Sequence, residues 1–132
     1  MKHVLVVDDD LAITQLLEDA LQDEGYVVHA VGNPHSAFSW LVDHWPDVVL
    51  VDQHMPGMDG STFIRACRRD PRGMDLRVVL MSAGPEVDHS SEPGVVFLGK
   101  PFDLGDLFRT VQYVGGSSSP LRTVGTQLAP RS

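Results

Sequence analysis

Four short apolar runs in this 132-residue chain each lead into residues that can do chemistry. His3 to Val7 is followed by Asp8, Asp9 and Asp10; Val48 to Val51 by Asp52; Arg77 to Met81 by Ser82; and Val95 to Leu98 by Gly99, Lys100 and Pro101. A carboxylate at the tip of a run as apolar as VVLV is costly to bury unless a cation or a metal answers it. If the tips share one edge, several carboxylates, one hydroxyl and one ammonium meet in a single cleft. Crowded carboxylates raise one another's pKa unless a cation intervenes. Mg2+ suits such a set, because it takes a few carboxylate oxygens and keeps waters and phosphate oxygens for the rest of its octahedron. It would neutralise the acids and orient an incoming phosphoryl group. Lys100 can pair with Asp52 or with a phosphoryl oxygen, and Ser82 can donate a hydrogen bond to that oxygen. The constellation suits a carboxylate, Asp52, that attacks phosphorus and becomes an aspartyl phosphate.

That chemistry requires elements that bring the tips together. The apolar runs, with Tyr26 to Val31 as a further member, are four to six residues long and mostly valine-rich, as strands covered on both faces are. Between them lie stretches with helical spacing. In Leu11 to Glu24 the apolar face is Ile13, Leu16, Leu17, Ala20 and Leu21, and Gly25 is placed to end the helix. Pro34 to His44 follows Asn33 as N-cap and presents Ala37, Phe38 and Leu41. Ser61 to Arg69 presents Phe63, Ile64 and Cys67, and Asp103 to Tyr113 opens on a capping acid before Leu104, Leu107, Phe108 and Val111. Strand and helix alternate, which predicts an α/β fold: a doubly wound parallel sheet, helices on both faces, and ligands outside the carboxyl ends of the strands. One stretch breaks the rhythm. SAGPEVDHSSEPG, between Met81 and Val95, has prolines, glycines and almost no apolar face, so at most a single turn near Glu86 to Ser90 is expected. From Gly115 the chain reads as a flexible tail.

Composition narrows the function classes. One domain of 42% hydrophobic and 21% charged residues is ordinary for a soluble globular protein. A formal charge of −8 without a basic stripe argues against nucleic acid and against an anionic membrane surface. A single cysteine, Cys67, excludes an internal disulfide and fits a reducing compartment. No run is long enough for a signal peptide or a membrane span, so the expected setting is cytoplasmic.

The motifs VLVVDDD, VVLVDQHMPGMDG, VVLMSA and FLGKPF, in that order over roughly residues 1 to 114, make the sequence similar to receiver domains of two-component response regulators. The resemblance implies a flavodoxin-like five-stranded sheet in the order 2-1-3-4-5. It implies that Asp52 is the phosphoacceptor, that Asp8 and Asp9 hold Mg2+ together with Asp52 and the backbone carbonyl of His54, and that Ser82 is the switch hydroxyl. Lys100 matches the family's lysine, and the Lys100–Pro101 bond is expected cis. Phe97 stands where the family often has a rotating aromatic. His54 and Gly84 stand at positions that tune phosphoryl lifetime, and Gly84 leaves the second of these without a side chain. The implied partners are a sensor histidine kinase or histidine phosphotransfer protein and a downstream protein target. The implied chemistry is self-catalysed phosphorylation and dephosphorylation rather than turnover of an external substrate.

The chain departs from the family between Ser82 and Lys100, where the fourth helix is expected to be short or missing, so the usual dimer is not carried over. With residues 1–114 as the receiver and 115–132 as a tail, the reading is a single-domain regulator that signals by protein contact. The alternatives are a phosphorelay intermediate that passes the group to a histidine, and a phosphorylation-independent interaction module. An aspartyl-phosphate hydrolase would want a second acid two residues after Asp52, where His54 stands. Cys67 is expected in the core, Trp40 and Trp45 in packing, and Arg65, Arg68, Arg69 and Arg72 on a solvated face. The remaining histidines (His3, His29, His35, His44 and His89) share no spacing that suggests a transition-metal site.

Overall fold

Short valine-rich runs that are apolar on both sides gain most from a sheet covered on both faces, and this chain builds one. The computed structural model describes residues 2–83 and 94–116, with side chains to Val114. In chain order the elements are β1 (His3–Val7), α1 (Leu11–Asp23), β2 (Val27–Val31), α2 (Pro34–Asp43), β3 (Val48–Asp52), α3 (Gly60–Arg68), a 3-10 turn (Pro71–Asp75), β4 (Arg77–Ser82), β5 (Val95–Gly99) and α4 (Leu104–Gly116). The strands are all parallel, in the order β2-β1-β3-β4-β5. Residues 84–93 of the helix-poor stretch, with Gly84 and the single turn expected near Glu86, lie outside the described residues, as does the chain from residue 117. Among the described residues no helix is long and apolar enough to cross a membrane.

Local signals start the helices where the sequence places them. Asp10 accepts from the amides of Ala12 and Ile13 at 3.0 and 3.3 Å and caps α1. Asn33 accepts from the Ser36 amide at 2.7 Å, with Pro34 in the first turn of α2. Asp103 does the same for Asp106 at 2.7 Å. Asp59 caps α3 by accepting from Thr62 at 2.8 Å, so that helix begins one residue earlier than its apolar spacing suggests. Gly25 follows α1 with φ of 97°, a conformation that an L side chain resists.

Strand alternation divides the core in two. Val4, Val6, Leu50, Met81 and Leu98 pack toward α1 and α4, against Leu17, Leu21, Leu107 and Val111. Leu5, Val7, Val51, Val78 and Leu80 pack toward α2 and α3, against Leu41, Phe63, Ile64 and Cys67. Trp40 and Trp45 are half-buried against this second cluster, so both are packing residues. Two expectations change. Leu16 is 49% exposed and Thr14 is buried instead, because the stripe of α1 centres on Leu17 and Leu21 and leaves Leu16 at its rim. The arginines do not form one solvated face. Arg68 donates to the carbonyls of Gly73 and Leu76 at 2.8 and 2.7 Å. Arg72 pairs with Asp70 at 2.7 Å, donates to the Leu41 carbonyl at 3.1 Å and lies 4.3 Å over the Trp45 ring.

Candidate functional site

The alternation that sorts the core also sorts the strand tips. The Asp8 amide donates to the Val31 carbonyl at 3.2 Å and the Lys100 amide to the Ser82 carbonyl at 2.8 Å, so the ladder runs on past the ends of β1 and β5. Asp8, Asp52 and Lys100 therefore continue the rows of Val6, Leu50 and Leu98 on the α1/α4 side. Asp8 is fully buried and Asp52 is 6% exposed. Lys100 Nζ bridges them, 3.0 Å from Asp52 Oδ1 and 3.2 Å from Asp8 Oδ2. Asp8 Oδ1 accepts from the Asp10 amide at 2.9 Å. Asp9, exposed, adds a third carboxylate, and one oxygen of each acid lies within 4.8 Å of the others.

The electrostatics follow from burial and crowding. Burial pushes the Asp8 carboxyl above its ordinary range; the Asp10 amide opposes this, the Asp52 charge adds to it, and Lys100 opposes it. Burial pulls Lys100 the other way, but its hydrogen bond to Asp52 and the charges of Asp8 and Asp52 outweigh that and raise it. One ammonium thus faces two buried carboxylates and an exposed one. The set is all oxygen and under-neutralised, with a spacing near the ~4 Å between opposite ligands of a small hard dication, so it is able to coordinate a divalent metal.

The segment after Asp52 is held closely. The Gln53 amide donates to the Met81 carbonyl at 2.8 Å, and Gly60 returns its amide to the Gln53 carbonyl at 2.9 Å. The Gln53 side-chain oxygen accepts from both the amide and the hydroxyl of Ser61, at 2.9 and 3.0 Å. A Cβ at Gly60 would stand 2.7 Å from the Asp52 carbonyl oxygen, so only glycine lets α3 start this close to the site. Sequence reading missed Gln53, whose role depends on Ser61 eight residues away, and Asp59, a local cap three residues before Thr62 that the apolar spacing of α3 passed over.

Ser82 is buried at the tip of β4, on the row of Leu80 and Val78, with its Oγ 3.4 Å from Nε2 of His54. Phe97 is half-buried on β5 against the α2/α3 core rather than among the acids. The Lys100–Pro101 bond is cis. Asp8, Asp9, Asp52 and Lys100 are thus brought together, Ser82 and His54 meet beside them, and Gly84 lies outside the described residues.

A parallel 2-1-3-4-5 sheet with this acid cluster at its carboxyl edge is matched by one family description, response regulator receiver domain, over residues 4–112. The chain belongs to that family. The receiver domain is 29% identical over 141 residues to the phosphate regulon transcriptional regulatory protein PhoB of Pseudomonas aeruginosa, covering 99% of this chain and 62% of PhoB. It therefore spans less than two thirds of that protein's length. It is 33% identical over 110 residues to sporulation initiation phosphotransferase F of Bacillus subtilis, 80% of this chain and 87% of that protein. Its fold superposes on the response regulator TrrA of Thermotoga maritima, solved in complex with Mg2+ and BeF, with a TM-score of 0.76 at 30% identity, covering 86% and 99% of the two chains.

Proposed function

We propose that this receiver domain accepts a phosphoryl group on Asp52 from the phosphohistidine of a sensor histidine kinase or histidine phosphotransfer protein, and signals to a downstream protein by contact. The observation that carries the reading is Lys100 between two buried carboxylates, which holds Asp52 in place at the carboxyl edge of the sheet. Asp8, Asp9, Asp52 and the main-chain carbonyl of His54 are the residues that would hold Mg2+, which when bound neutralises the carboxylates and the phosphoryl oxygens. The donor set supports that choice, being hard oxygen throughout.

The chain's own residues do the rest. An Asp52 oxygen bonds to phosphorus as the donor's P–N bond breaks, and the electron pair leaves on the imidazole nitrogen, which takes up a proton. Lys100 then has a phosphoryl oxygen to pair with, and the Ser82 hydroxyl one to donate to. The acceptor is the domain's own side chain, so the chemistry is self-phosphorylation and its reversal by hydrolysis. The buried lone thiol of Cys67 fits a reducing, cytoplasmic setting.

Intact-protein mass after incubation with acetyl phosphate tests this, with and without Mg2+, on wild type and Asp52→Ala. A gain of one phosphoryl group that needs both Mg2+ and Asp52 is expected; no gain in folded wild type would refute it. A second reading, a relay intermediate, is favoured by one observation: the matched Bacillus subtilis protein is by name a phosphotransferase and is covered over 87% of its length. Transfer of label from Asp52 onward to a histidine phosphotransfer protein would separate the two.

A further inference from the structure

We propose that the Gln53 side chain positions the divalent-cation site: by tying the tip of β3 to the first turn of α3, it keeps the chain around Asp52 in the arrangement from which the acids take the ion. The inference deepens the proposed function and rests on the acid cluster being its metal site. Alternation along β3 sets it up. Asp52 follows the row of Leu50 on the α1/α4 side, so Gln53 follows the row of Val51 and meets the start of α3. A helix leaves its first amides without partners of its own. In α3 the Gly60 amide donates to the Gln53 carbonyl and the Ser61 amide to Gln53 Oε1, both at 2.9 Å, while Asp59 serves Thr62 at 2.8 Å. The Ser61 hydroxyl also donates to Gln53 Oε1, at 3.0 Å.

Main chain and side chain of one residue thus hold the helix start to the strand tip. The Gln53 amide donates in turn to the Met81 carbonyl at 2.8 Å, so the link continues into β4. It closes beside the acids. Asp52 and His54, whose main-chain carbonyl is named above among the groups that would hold Mg2+, flank Gln53 in the chain. The helix start is so near that a Cβ at Gly60 would stand 2.7 Å from the Asp52 carbonyl oxygen. With the side-chain bonds gone, the arrangement competent to bind becomes only a fraction of the population, and apparent affinity falls by that fraction. Gln53 faces away from the acids, so it is a positioning residue that acts through Ser61 rather than a ligand.

Amide-detected NMR titration with Mg2+ tests this, because it reads the dissociation constant of the folded protein without a phosphodonor. The cycle comprises wild type, Gln53→Met (similar length, no acceptor), Ser61→Ala and the double variant, with melting temperatures measured in chelator. Gln53→Met is expected to weaken Mg2+ binding about fivefold, the worth of one neutral hydrogen bond. Ser61→Ala, which leaves the amide bond in place, should weaken it about twofold, and not at all once Gln53→Met is present. Asn33→Ala, which removes a cap from α2, controls for lost stability and should leave the affinity unchanged. Wild-type affinity in Gln53→Met, a lower melting temperature without lower affinity, or an equal affinity loss in Asn33→Ala would each overturn the inference while leaving the metal site standing. If Gln53→Met does not fold, wild-type affinity in Ser61→Ala overturns it. No saturable Mg2+ binding in wild type would overturn both.

Discussion

Replacing Lys100 with methionine removes the ammonium and keeps an unbranched stem of similar length. Two side chains that are 1% and 8% exposed, Asp8 and Asp52, then lose the cation that both contact. Breaking a buried ion pair by deleting one partner costs about 3–5 kcal/mol, because the remaining charge stays buried and unanswered. The Lys100 side chain is 21% exposed, so water replaces part of what is lost. The lower end applies, about 3 kcal/mol. For a domain of this size that is on the order of 12 °C in Tm. Urea unfolding followed by far-UV circular dichroism, at low ionic strength with a chelator present, measures it. The cause is isolated by repeating the substitution in an Asp52→Asn background, where one of the two carboxylates is neutral. There Lys100→Met should cost at least about 1 kcal/mol less, a coupling expected only of groups in contact. A Lys100→Met loss below about 0.5 kcal/mol, the range of ordinary surface changes, or an equal loss in both backgrounds, would refute the view that Lys100 answers two buried charges.

Asp9 is exposed, so Asp9→Asn should leave the metal-free stability within about 0.5 kcal/mol while weakening the rise in Tm that saturating Mg2+ produces in wild type; an equal rise in both proteins would remove Asp9 from the ligand set. Gly60→Ala should destabilise by about 1–3 kcal/mol and slow phosphoryl uptake, since its Cβ would meet the Asp52 carbonyl oxygen and Leu80 Cδ1, each at 2.7 Å; wild-type values in urea melts and in uptake assays would show that the segment relaxes freely. Burial pushes the Cys67 thiol up to about 12 from 9.0. The native protein should therefore resist iodoacetamide near pH 8.5 and react only on unfolding, and rapid native alkylation would contradict its burial. The sign of the linked stability follows: between pH 9.0 and about 12 the unfolded thiol ionises and the native one does not, so native stability falls as pH rises through that window, and Cys67→Ala should flatten the fall.

Much of this protein is legible along the chain because its signals are local. Valine runs of strand length, Asn33 before Pro34, Asp103 ahead of helical spacing, and Gly25 after it each act through neighbours a few residues away, and each does in the structure what its chemistry dictates. The convergence of Asp8, Asp52 and Lys100 was readable too, since parallel strands bring their tips to one edge. What no local pattern carries is the direction of a side chain once strands are in register. The offset that pairs Asp52 with Met81 sends Ser82 to the far row and hands it to His54, and that offset comes from the packing of two faces at once. Likewise Arg72 reads as surface charge until α2 and the 3-10 turn are docked, when it acquires Trp45, Asp70 and the end of α2. The sequence by itself determined which residues could do the chemistry and which edge would collect them. Only the tertiary structure decided which of them touch, because contact depends on register and docking, which are settled by the burial of the whole apolar surface rather than by any one segment.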